Sequence, residues 1–491
     1  MPQLALAAQV QLISIVVFLR ERVRVLQRVV PARESFGNVR AEADDSLSCV
    51  LAAVTIPKHG DLFMKNIFDS RQLKSFSTSL VVILIFACIF RGVFLWLRLI
   101  PGNVWPLPVR PYPFEAGWIA HSILAGKGFS SAFQVESGPT ALLPPVYPYL
   151  LAGIFKVFGE LSYRSIAAAA TLNEIFSALT CIPIYFIAKR IGGVTLAAVA
   201  AWLWAFYPNA IYIPCYAIWY STLSTLLVAL SLWATFAVLD SSSSLAWFGY
   251  GALWGVGMLT NPAVGSISLS LLIWLAWNLY PDRRRWFKLP LVAALGVILV
   301  CTPWTVRNYK VFGRLIPLRS NFGFELWTTS CFPNDPAGGI MIYDDPAALA
   351  RYVQIGEGAY MKEMERKAFQ CILDGPREMP RLAYRNFLRT WFNTDRPVHS
   401  LFFTTRSWFI RLGTNIAFSL LSFAGLILLF RERRAQAWPF AIVLSVFPLV
   451  YYITHSEQTY RFPIDPALMV LDGFMLCCIA RIAKRRQKTL A

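Results

Sequence analysis

Three groups of polar residues lie between long apolar stretches of this sequence, and the first contains a candidate acid–base residue. Glu115 opens the amphipathic stretch 115–126, where apolar residues recur with helical spacing. A carboxylate in this position can accept a proton from a reacting hydroxyl group. It is also stabilised at the start of a helix by the helix dipole, so a general base and a capping residue are both open interpretations.

The second group, residues 303–309, lies at the end of a long apolar stretch and includes Arg307 and Asn308. An arginine just outside a bilayer can extend its side chain to the lipid headgroups. Its planar guanidinium is also well shaped to bind a phosphate through paired hydrogen bonds. The sequence therefore offers Arg307 either as a membrane anchor or as a phosphate ligand, with Asn308 beside it.

The third group is a short polar connection, residues 455–466, between two apolar stretches. It contains Glu457, Tyr460 and Arg461, a density of polar groups that a membrane connection does not require. One interpretation is a Glu457–Arg461 ion pair within the loop. The other is that Tyr460 and Arg461 bind a phosphate near the membrane surface, because hydrogen bonds to charged groups are strong.

The composition of the whole chain is that of a membrane protein. Of its 491 residues, 56% are hydrophobic and 15% are charged, whereas soluble domains are about 45–50% apolar and about 25% charged. The net charge of +19 does not predict a nucleic-acid partner, because the basic residues form short clusters between apolar stretches. These values exclude a disordered chain, a disulfide scaffold and a cytosolic enzyme.

Ten stretches are apolar and long enough to be membrane-spanning helices, which need about 20 residues. The short stretch Val146–Phe158 is not counted, because counting it would place the following basic clusters on both sides of the membrane. It is interpreted as a re-entrant or interfacial helix. The ten stretches are 77–98, 165–188, 192–208, 216–239, 246–261, 263–280, 288–305, 408–430, 437–454 and 466–482.

The connections between these stretches predict the orientation of the chain. The short connections on one side are rich in Lys and Arg, which marks the cytoplasmic side, so both termini are predicted to be cytoplasmic. Two long segments, 99–164 and 306–407, and the short connection 455–465 then lie outside, in the periplasm of a bacterium that carries the protein in its inner membrane. We expect the chemistry on that side.

The predicted organisation has four parts. Residues 1–75 form a cytoplasmic extension, of which 1–63 is either an artefact of a misplaced start codon or a peripheral amphipathic helix. The other parts are a membrane module (76–305) with a catalytic first external loop (99–164), a small mixed cap (306–407), and the last membrane helices with a basic tail (408–491).

The cysteines give little information on function. Cys331 and Cys371 share the second external segment and could pair in an oxidising compartment. No Cys/His spacing resembles a zinc site, and no glycine loop has the strand–helix context of a phosphate-binding loop. An ATP-driven pump is therefore not expected.

The external motifs resemble those of bacterial integral-membrane glycosyltransferases of family 39, which belong to the GT-C superfamily with protein O-mannosyltransferases and lipid A aminoarabinose transferases. The resemblance covers roughly residues 75–482. The motifs that carry it are Phe114-Glu115-x-Gly117-x-Ile119-Ala120-x-Ser122, Gly126-x-Gly128-Phe129-Ser130, Gly138-Pro139-Thr140, Pro144-Pro145-x-Tyr147-Pro148, Pro303-Trp304-Thr305-x-Arg307-Asn308-Tyr309 and Tyr460-Arg461-Phe462-Pro463.

The resemblance implies a fold and a reaction. The fold is an all-α, GT-C-like bundle of about ten transmembrane helices with juxtamembrane helices in the first external loop. The enzyme is an inverting glycosyltransferase that moves a sugar from a polyprenyl-phosphate donor, held among membrane lipids, to a glycan, lipid or protein acceptor. Because some GT-C enzymes use a divalent ion and others do not, metal dependence stays open.

The resemblance also implies roles for individual residues. The acidic first-loop residue of the family corresponds to Glu115, which becomes the predicted catalytic base. Many relatives have an Asp-Glu pair here, where this chain has Phe114. The predicted ligands of the donor phosphate are Arg307, Tyr460 and Arg461, and the predicted supporting residues are Asn308, Glu457 and His121.

A transporter or flippase of lipid-linked saccharides is the alternative function. It would place ionisable groups near the middle of the membrane and often contain internal repeats. Arg91 lies inside the first predicted span, but few other charges lie within spans and no repeat is apparent. A non-catalytic scaffold, the third interpretation, would not depend on Glu115.

Overall fold

A computed structural model describes residues 77–99, 114–282, 285–332, 342–392, 394 and 405–490. Within these ranges the secondary structure is helical, apart from an isolated bridge between Ser130 and Pro139. The predicted N-terminal extension 1–75 lies outside the described residues. The predicted class, an all-α polytopic membrane protein, is confirmed.

Six helical segments of the described chain are long and apolar enough to cross a membrane. Two of them contain 44 and 42 residues, and each has a break with non-helical backbone, at Gly192–Gly193 and at Arg433. The break at Arg433 falls between two predicted spans, and the one at Gly192–Gly193 falls at the start of a predicted span. All ten stretches are mainly helical, while the number that crosses the bilayer stays a prediction. The six are Leu80–Leu99, Tyr163–Phe206, Ser221–Leu239, Lys288–Phe312, Leu412–Ile453 and Thr459–Gln487.

We number the described helices in chain order. They are α1 (Leu80–Leu99), α2 (Phe114–Leu124), α3 (Val146–Phe158), α4 (Tyr163–Leu179), α5 (Cys181–Phe206), α6 (Pro208–Tyr216), α7 (Ser221–Leu239), α8 (Ser244–Met258), α9 (Val264–Leu279), α10 (Lys288–Phe312), α11 (Phe322–Ser330), α12 (Pro346–Asp374), α13 (Glu378–Phe392), α14 (Thr405–Val446), α15 (Leu449–Ile453), α16 (Gln458–Arg461) and α17 (Asp465–Leu490), with a 3₁₀ turn at Phe462–Ile464.

Helices α2 and α3 pack against each other in the first external segment. At 13 residues, α3 is about 20 Å long, which is too short for a hydrocarbon core of about 30 Å. Ile119 of α2 and Tyr147 of α3 share one hydrophobic cluster with Tyr352 and Met361 of α12. The first external segment and the second therefore form one packed unit.

Glycines allow α8 and α10 to approach closely. A Cβ atom at Gly251 would lie 1.8 Å from the Ala293 carbonyl oxygen, and one at Gly296 would lie 2.5 Å from the Phe248 carbonyl oxygen. Any other residue at these two positions would push the helices apart. Close packing through small residues is a usual way to join helices in a membrane, where burial of apolar surface gives little driving force.

Arg91 of α1 is buried and joins three helices. Its guanidinium donates hydrogen bonds to the Ser177 hydroxyl at 3.1 Å and to the carbonyl oxygens of Trp204 and Ala205 at 3.3 and 3.1 Å. Those carbonyls belong to the last turn of α5, where the donors four residues further on in an uninterrupted helix are missing; the Trp204 carbonyl also accepts from the Tyr207 N–H. These contacts give Arg91 a structural role at a helix end.

The second external segment contributes α11, α12 and α13. Cys331, just after α11, forms a disulfide with Cys371 of α12, so the pairing considered from the sequence is present. Helix α12 is interrupted at Gly356, which has a φ of +76°, a conformation that favours glycine. Glu357 follows this interruption and faces the first external segment.

Candidate active site

Glu115 lies in the first turn of α2, as the sequence predicts. The preceding residue, Phe114, has a left-handed φ of +51°, which costs a non-glycine residue roughly 1–2 kcal/mol, and its ring packs against Trp219. Burial raises the pKa of the Glu115 carboxyl above its ordinary range, while the positive charge of Arg319 opposes that rise. A carboxylate with a raised pKa is better suited to accept a proton than one in water.

Arg319 connects the first external segment to the second. Its Nε donates a hydrogen bond to the Leu142 carbonyl oxygen at 2.6 Å, and the next residue, Ser320, donates its backbone N–H to the Ala141 carbonyl oxygen at 3.0 Å. One terminal nitrogen of Arg319 lies 3.5 Å from a carboxylate oxygen of Glu325. These two contacts thus place Arg319 beside the Glu325 carboxylate, and its positive charge also acts on Glu115.

Glu325 and Tyr460 flank His455 on its two sides. The His455 Nδ1 lies 3.0 Å from Glu325 Oε2, and its Nε2 lies 2.8 Å from the Tyr460 hydroxyl oxygen. Burial opposes ionisation of Glu325, but the charge of His455 holds the pKa of that carboxyl below its usual range. Because Glu325 belongs to α11 and His455 to the last external connection, this contact joins the second external segment to the third.

Glu115, Arg319, Glu325, His455 and Tyr460 form what we name the polar cluster. It draws one residue from the first external segment, two from the second and two from the last connection. These three segments therefore contact one another, while the side of the membrane on which they lie stays a prediction. A cation between carboxylates, beside a tyrosine hydroxyl, can bind an anion and take up a proton within one site.

Glu357 of α12 holds this part of the molecule together. It is 2% exposed, and its oxygens accept hydrogen bonds from the Ala141 backbone N–H at 2.7 Å and the Ser320 hydroxyl at 2.7 Å. The hydroxyl groups of Tyr352 and Thr140 also donate to it. Glu357 therefore fixes the same two backbone stretches that position Arg319.

Arg461 lies deeper in the protein than the polar cluster. It is 3% exposed, and its Nε donates to Asp465 Oδ1 at 2.8 Å; the ion pair considered from the sequence, with Glu457, is replaced by one with Asp465. Its terminal nitrogens donate four further hydrogen bonds, to the Trp391 carbonyl, Ser419 Oγ, the Tyr207 hydroxyl and Asn415 Oδ1. The phosphate-binding role of Arg461 stays a prediction.

Arg307 connects α10 to the first external segment. Its terminal nitrogens donate to the carbonyl oxygens of Thr140 and Phe129, both at 2.6 Å, and the guanidinium lies 4.9 Å from the centre of the Trp304 ring. Asn308 donates to the Ile316 carbonyl oxygen at 3.0 Å. Both side chains thus donate hydrogen bonds to backbone carbonyl oxygens. The phosphate-binding role of Arg307 also stays a prediction.

Two predicted supporting residues are not among the members of the polar cluster. His121 pairs with Glu160 on the exposed surface of the first external segment. Glu457 is exposed, at the start of α16, although its charge acts on His455. Within the described ranges, no three His, Cys, Asp or Glu side chains lie close enough together to hold a metal ion.

Sequence reasoning did not assign roles to Arg319, Glu325 or His455. The signal was present, because all three lie in polar stretches that follow predicted spans. Nothing in the sequence shows that residues 319, 325 and 455 meet. That information lies in the packing of α11 and α12 against the first external segment.

Residues 143–306 match the family model described as dolichyl-phosphate-mannose-protein mannosyltransferase. This match confirms the resemblance to GT-C glycosyltransferases that the motifs indicate. The matched range ends one residue before Arg307, and none of the residues of the polar cluster lies within it.

Solved structures of two proteins are similar in architecture. One is ArnT from Cupriavidus metallidurans bound to undecaprenyl phosphate, with 15% identity and a TM-score of 0.45 over 80% of this chain and 59% of that one. The other is the Archaeoglobus fulgidus oligosaccharyltransferase in complex with zinc and sulfate, with 12% identity and a TM-score of 0.47 over 82% of this chain and 50% of that one. The chain thus spans between half and three fifths of these two proteins. A comparison with curated protein sequences gives no match.

Proposed function

We propose that the protein is an inverting membrane glycosyltransferase that uses a polyprenyl-phosphate-linked sugar as its donor. The observation that carries the proposal is the polar cluster, in which Arg319 pairs with Glu325 at 3.5 Å and its positive charge acts on Glu115, where three external segments meet. The family match over residues 143–306 supports the same reaction class. The acceptor is a hydroxyl-bearing glycan, lipid or protein on the periplasmic side.

The reaction needs one base and one anion-binding group. The acceptor oxygen attacks the anomeric carbon from the face opposite the phosphate, and its proton passes to Glu115. The bond between the anomeric carbon and the phosphate oxygen breaks, and its electron pair leaves with the polyprenyl phosphate. Arg319 stabilises the charge that accumulates on that phosphate, and Tyr460 is placed to donate a further hydrogen bond.

The surroundings of the polar cluster suit a lipid donor. A polyprenyl chain requires an apolar surface beside a polar end, which helices in a membrane provide. The transporter alternative finds less support, because Arg91, near the middle of the first span, donates its hydrogen bonds to Ser177 and to backbone carbonyl oxygens of α1 and α5.

The first prediction tests the reaction and its base together. The purified full-length protein is incubated with polyprenyl-phosphate hexoses and a membrane extract as acceptor, and free polyprenyl phosphate is measured. We expect release by the wild type, and a rate lower by about 10²–10⁴-fold for Glu115→Gln with unchanged affinity for polyprenyl phosphate.

The matched control is Glu136→Gln, since that first-segment carboxylate is exposed and paired with Lys127; this variant should keep its activity. Absence of release by the wild type with every hexose tested would contradict the proposed function. A Glu115→Gln variant with more than half of the wild-type rate would assign the base to another residue.

A further inference from the structure

His455 is held tightly between two partners of different chemistry. Its Nδ1 lies 3.0 Å from the Glu325 carboxylate, and its Nε2 lies 2.8 Å from the Tyr460 hydroxyl oxygen. The Tyr460 ring stacks on Tyr451, with ring centres 5.0 Å apart. His455 is also buried, so neither ring can turn away without losing these contacts.

The backbone around His455 is fixed by α13. Asn386 donates a hydrogen bond to the Thr454 carbonyl oxygen at 2.6 Å, and the hydroxyl groups of Thr390 and Ser456 lie 2.7 Å apart. The residues on both sides of His455 are therefore anchored. In this position Nε2 is within hydrogen-bond distance of the Tyr460 hydroxyl, while Nδ1 lies in ion-pair contact with the Glu325 carboxylate at 3.0 Å, without the alignment of a hydrogen bond.

The protonation of His455 decides which way the Tyr460 hydrogen points. A carboxylate only accepts hydrogen bonds, so the Nδ1 that faces Glu325 carries a hydrogen in both protonation states. In the protonated ring Nε2 also carries a hydrogen, which it donates to the Tyr460 oxygen. The hydroxyl hydrogen of Tyr460 then points away from His455. In the neutral ring Nε2 is an acceptor, and the Tyr460 hydrogen is used to satisfy it.

We infer that His455 is a positioning residue that sets the direction of the Tyr460 hydroxyl, so that Tyr460 donates a hydrogen bond to the donor phosphate only while His455 is protonated. The inference rests on the proposed function, since it concerns how that site binds its anionic substrate. Glu325 acts as the anchor that keeps the imidazole in the required tautomer.

The charges around His455 favour the protonated form. Glu325 faces it from α11 and Glu457 from its own connection, while Arg319, just before α11, opposes them. From α13, the neutral Asn386 and Thr390 bind the residues on either side of His455. Burial lowers the pKa of His455, but the two carboxylates together raise it by more than burial lowers it. The pKa of His455 therefore lies above its ordinary value of 6.5. Affinity for the phosphate should therefore be high below this raised pKa and fall as the pH rises through it.

The second prediction is measured as binding, without turnover. Polyprenyl phosphate is titrated into the full-length protein in lipid nanodiscs over a pH range of about 6 to 9. We expect the dissociation constant to rise by at least about tenfold through the titration of His455, which corresponds to the loss of a hydrogen bond to a charged group. Ionisation of the phosphate itself, with a pKa near 6, would strengthen binding to a cation as the pH rises and so cannot imitate this trend.

Three variants separate positioning from structure. Tyr460→Phe should bind weakly and with little dependence on pH in this range. Glu325→Gln should move the loss of affinity to lower pH, because it removes the charge that stabilises the protonated ring. The matched control is Glu160→Gln, which removes the carboxylate partner of the exposed His121 and should leave the pH profile unchanged.

The outcomes distinguish this inference from the proposed function. If the wild type does not bind polyprenyl phosphate at any pH, both are wrong. If the wild type binds it but Tyr460→Phe keeps the wild-type pH profile, the positioning role of His455 is wrong and the proposed function stands. Thermal unfolding of each variant identifies a loss of fold, and Tyr460→Phe decides the question if Glu325→Gln does not fold.

Discussion

Three arginines lie near the external end of the bundle, and their existing hydrogen bonds separate their roles. Arg461 is saturated by five protein acceptors, and Arg307 donates to two backbone carbonyls of the first external segment. Arg319 shares its charge between Glu325 and the neighbourhood of Glu115. We therefore expect Arg319 to provide the main positive charge for the donor phosphate.

The third prediction concerns Arg319 itself. Replacement of Arg319 by Gln should weaken polyprenyl phosphate binding by about tenfold or more and lower the rate of transfer as well, because the phosphate gains charge as the sugar leaves. Arg319→Lys should be intermediate, since it keeps the charge but not the paired hydrogen bonds. Binding and release assays measure both effects.

A surface arginine serves as the control for Arg319. Arg351 pairs with Glu363 at 3.1 Å in the same external segment, and it is 49% exposed. Arg351→Gln should therefore bind and transfer like the wild type. Equal behaviour of the two Gln variants would show that Arg319 does not bind the phosphate.

The residue types of the site could be predicted from the sequence, but the hydrogen-bond partners of each residue could not. Glu115 is found because a lone acid opens an amphipathic stretch near the membrane. Arg461 and Arg307 are equally conspicuous, flanked by aromatic residues and proline. Only the fold reveals that their hydrogens are already donated to Asp465, Thr140 and Phe129.

At the scale of elements, α12 controls the site without belonging to it. Its interruption at Gly356 brings Glu357 to the first external segment, where one carboxylate accepts four hydrogen bonds. Of the four donors, Ala141 precedes Leu142, whose carbonyl oxygen accepts from Arg319, and Ser320 directly follows Arg319. The sequence predicts a small cap in this region, but it could not predict that one of its acids would be buried.

The fourth prediction is that Glu357→Gln lowers both stability and turnover. A glutamine offers one acceptor oxygen, and its NH₂ group would meet the Thr140 and Tyr352 hydroxyls, which would have to accept instead of donate. The charge that strengthens all four hydrogen bonds is also lost, and hydrogen bonds to charged groups are worth about 1.5–3 kcal/mol, against about 0.5–1.5 kcal/mol for neutral ones. We expect a lower unfolding temperature in detergent and a lower rate of transfer. Glu365→Gln, at an exposed position of the same helix, should change neither. A variant at position 357 with wild-type stability would contradict this account.

At the scale of the molecule, the three external segments meet in one polar cluster although 340 positions separate Glu115 from His455. The charge of the short connections predicts this arrangement, because it places all three segments on the same side. The helical class also followed from composition and apolar length. The packing of the second external segment did not, since long polar segments carry no topological signal.

The fifth prediction tests the side on which the cluster lies. In intact cells, a membrane-impermeant thiol reagent should label Ser137→Cys in the first external segment and should not label Ser242→Cys in the connection between α7 and α8. Both variants are made in a background without the native cysteines near the external segments. The reverse labelling pattern would overturn the predicted orientation, while disruption of the cells should expose both positions.

Formation of the Cys331–Cys371 disulfide depends on the compartment in which the two cysteines lie. Thiols that remain in the cytoplasm are kept reduced, whereas those that emerge into an oxidising space can be joined. This bridge links α11, which carries Glu325, to α12, which carries Glu357. In the predicted orientation the bridge forms only after the second external segment has crossed the membrane, so a chain inserted in the opposite orientation would lack this covalent link.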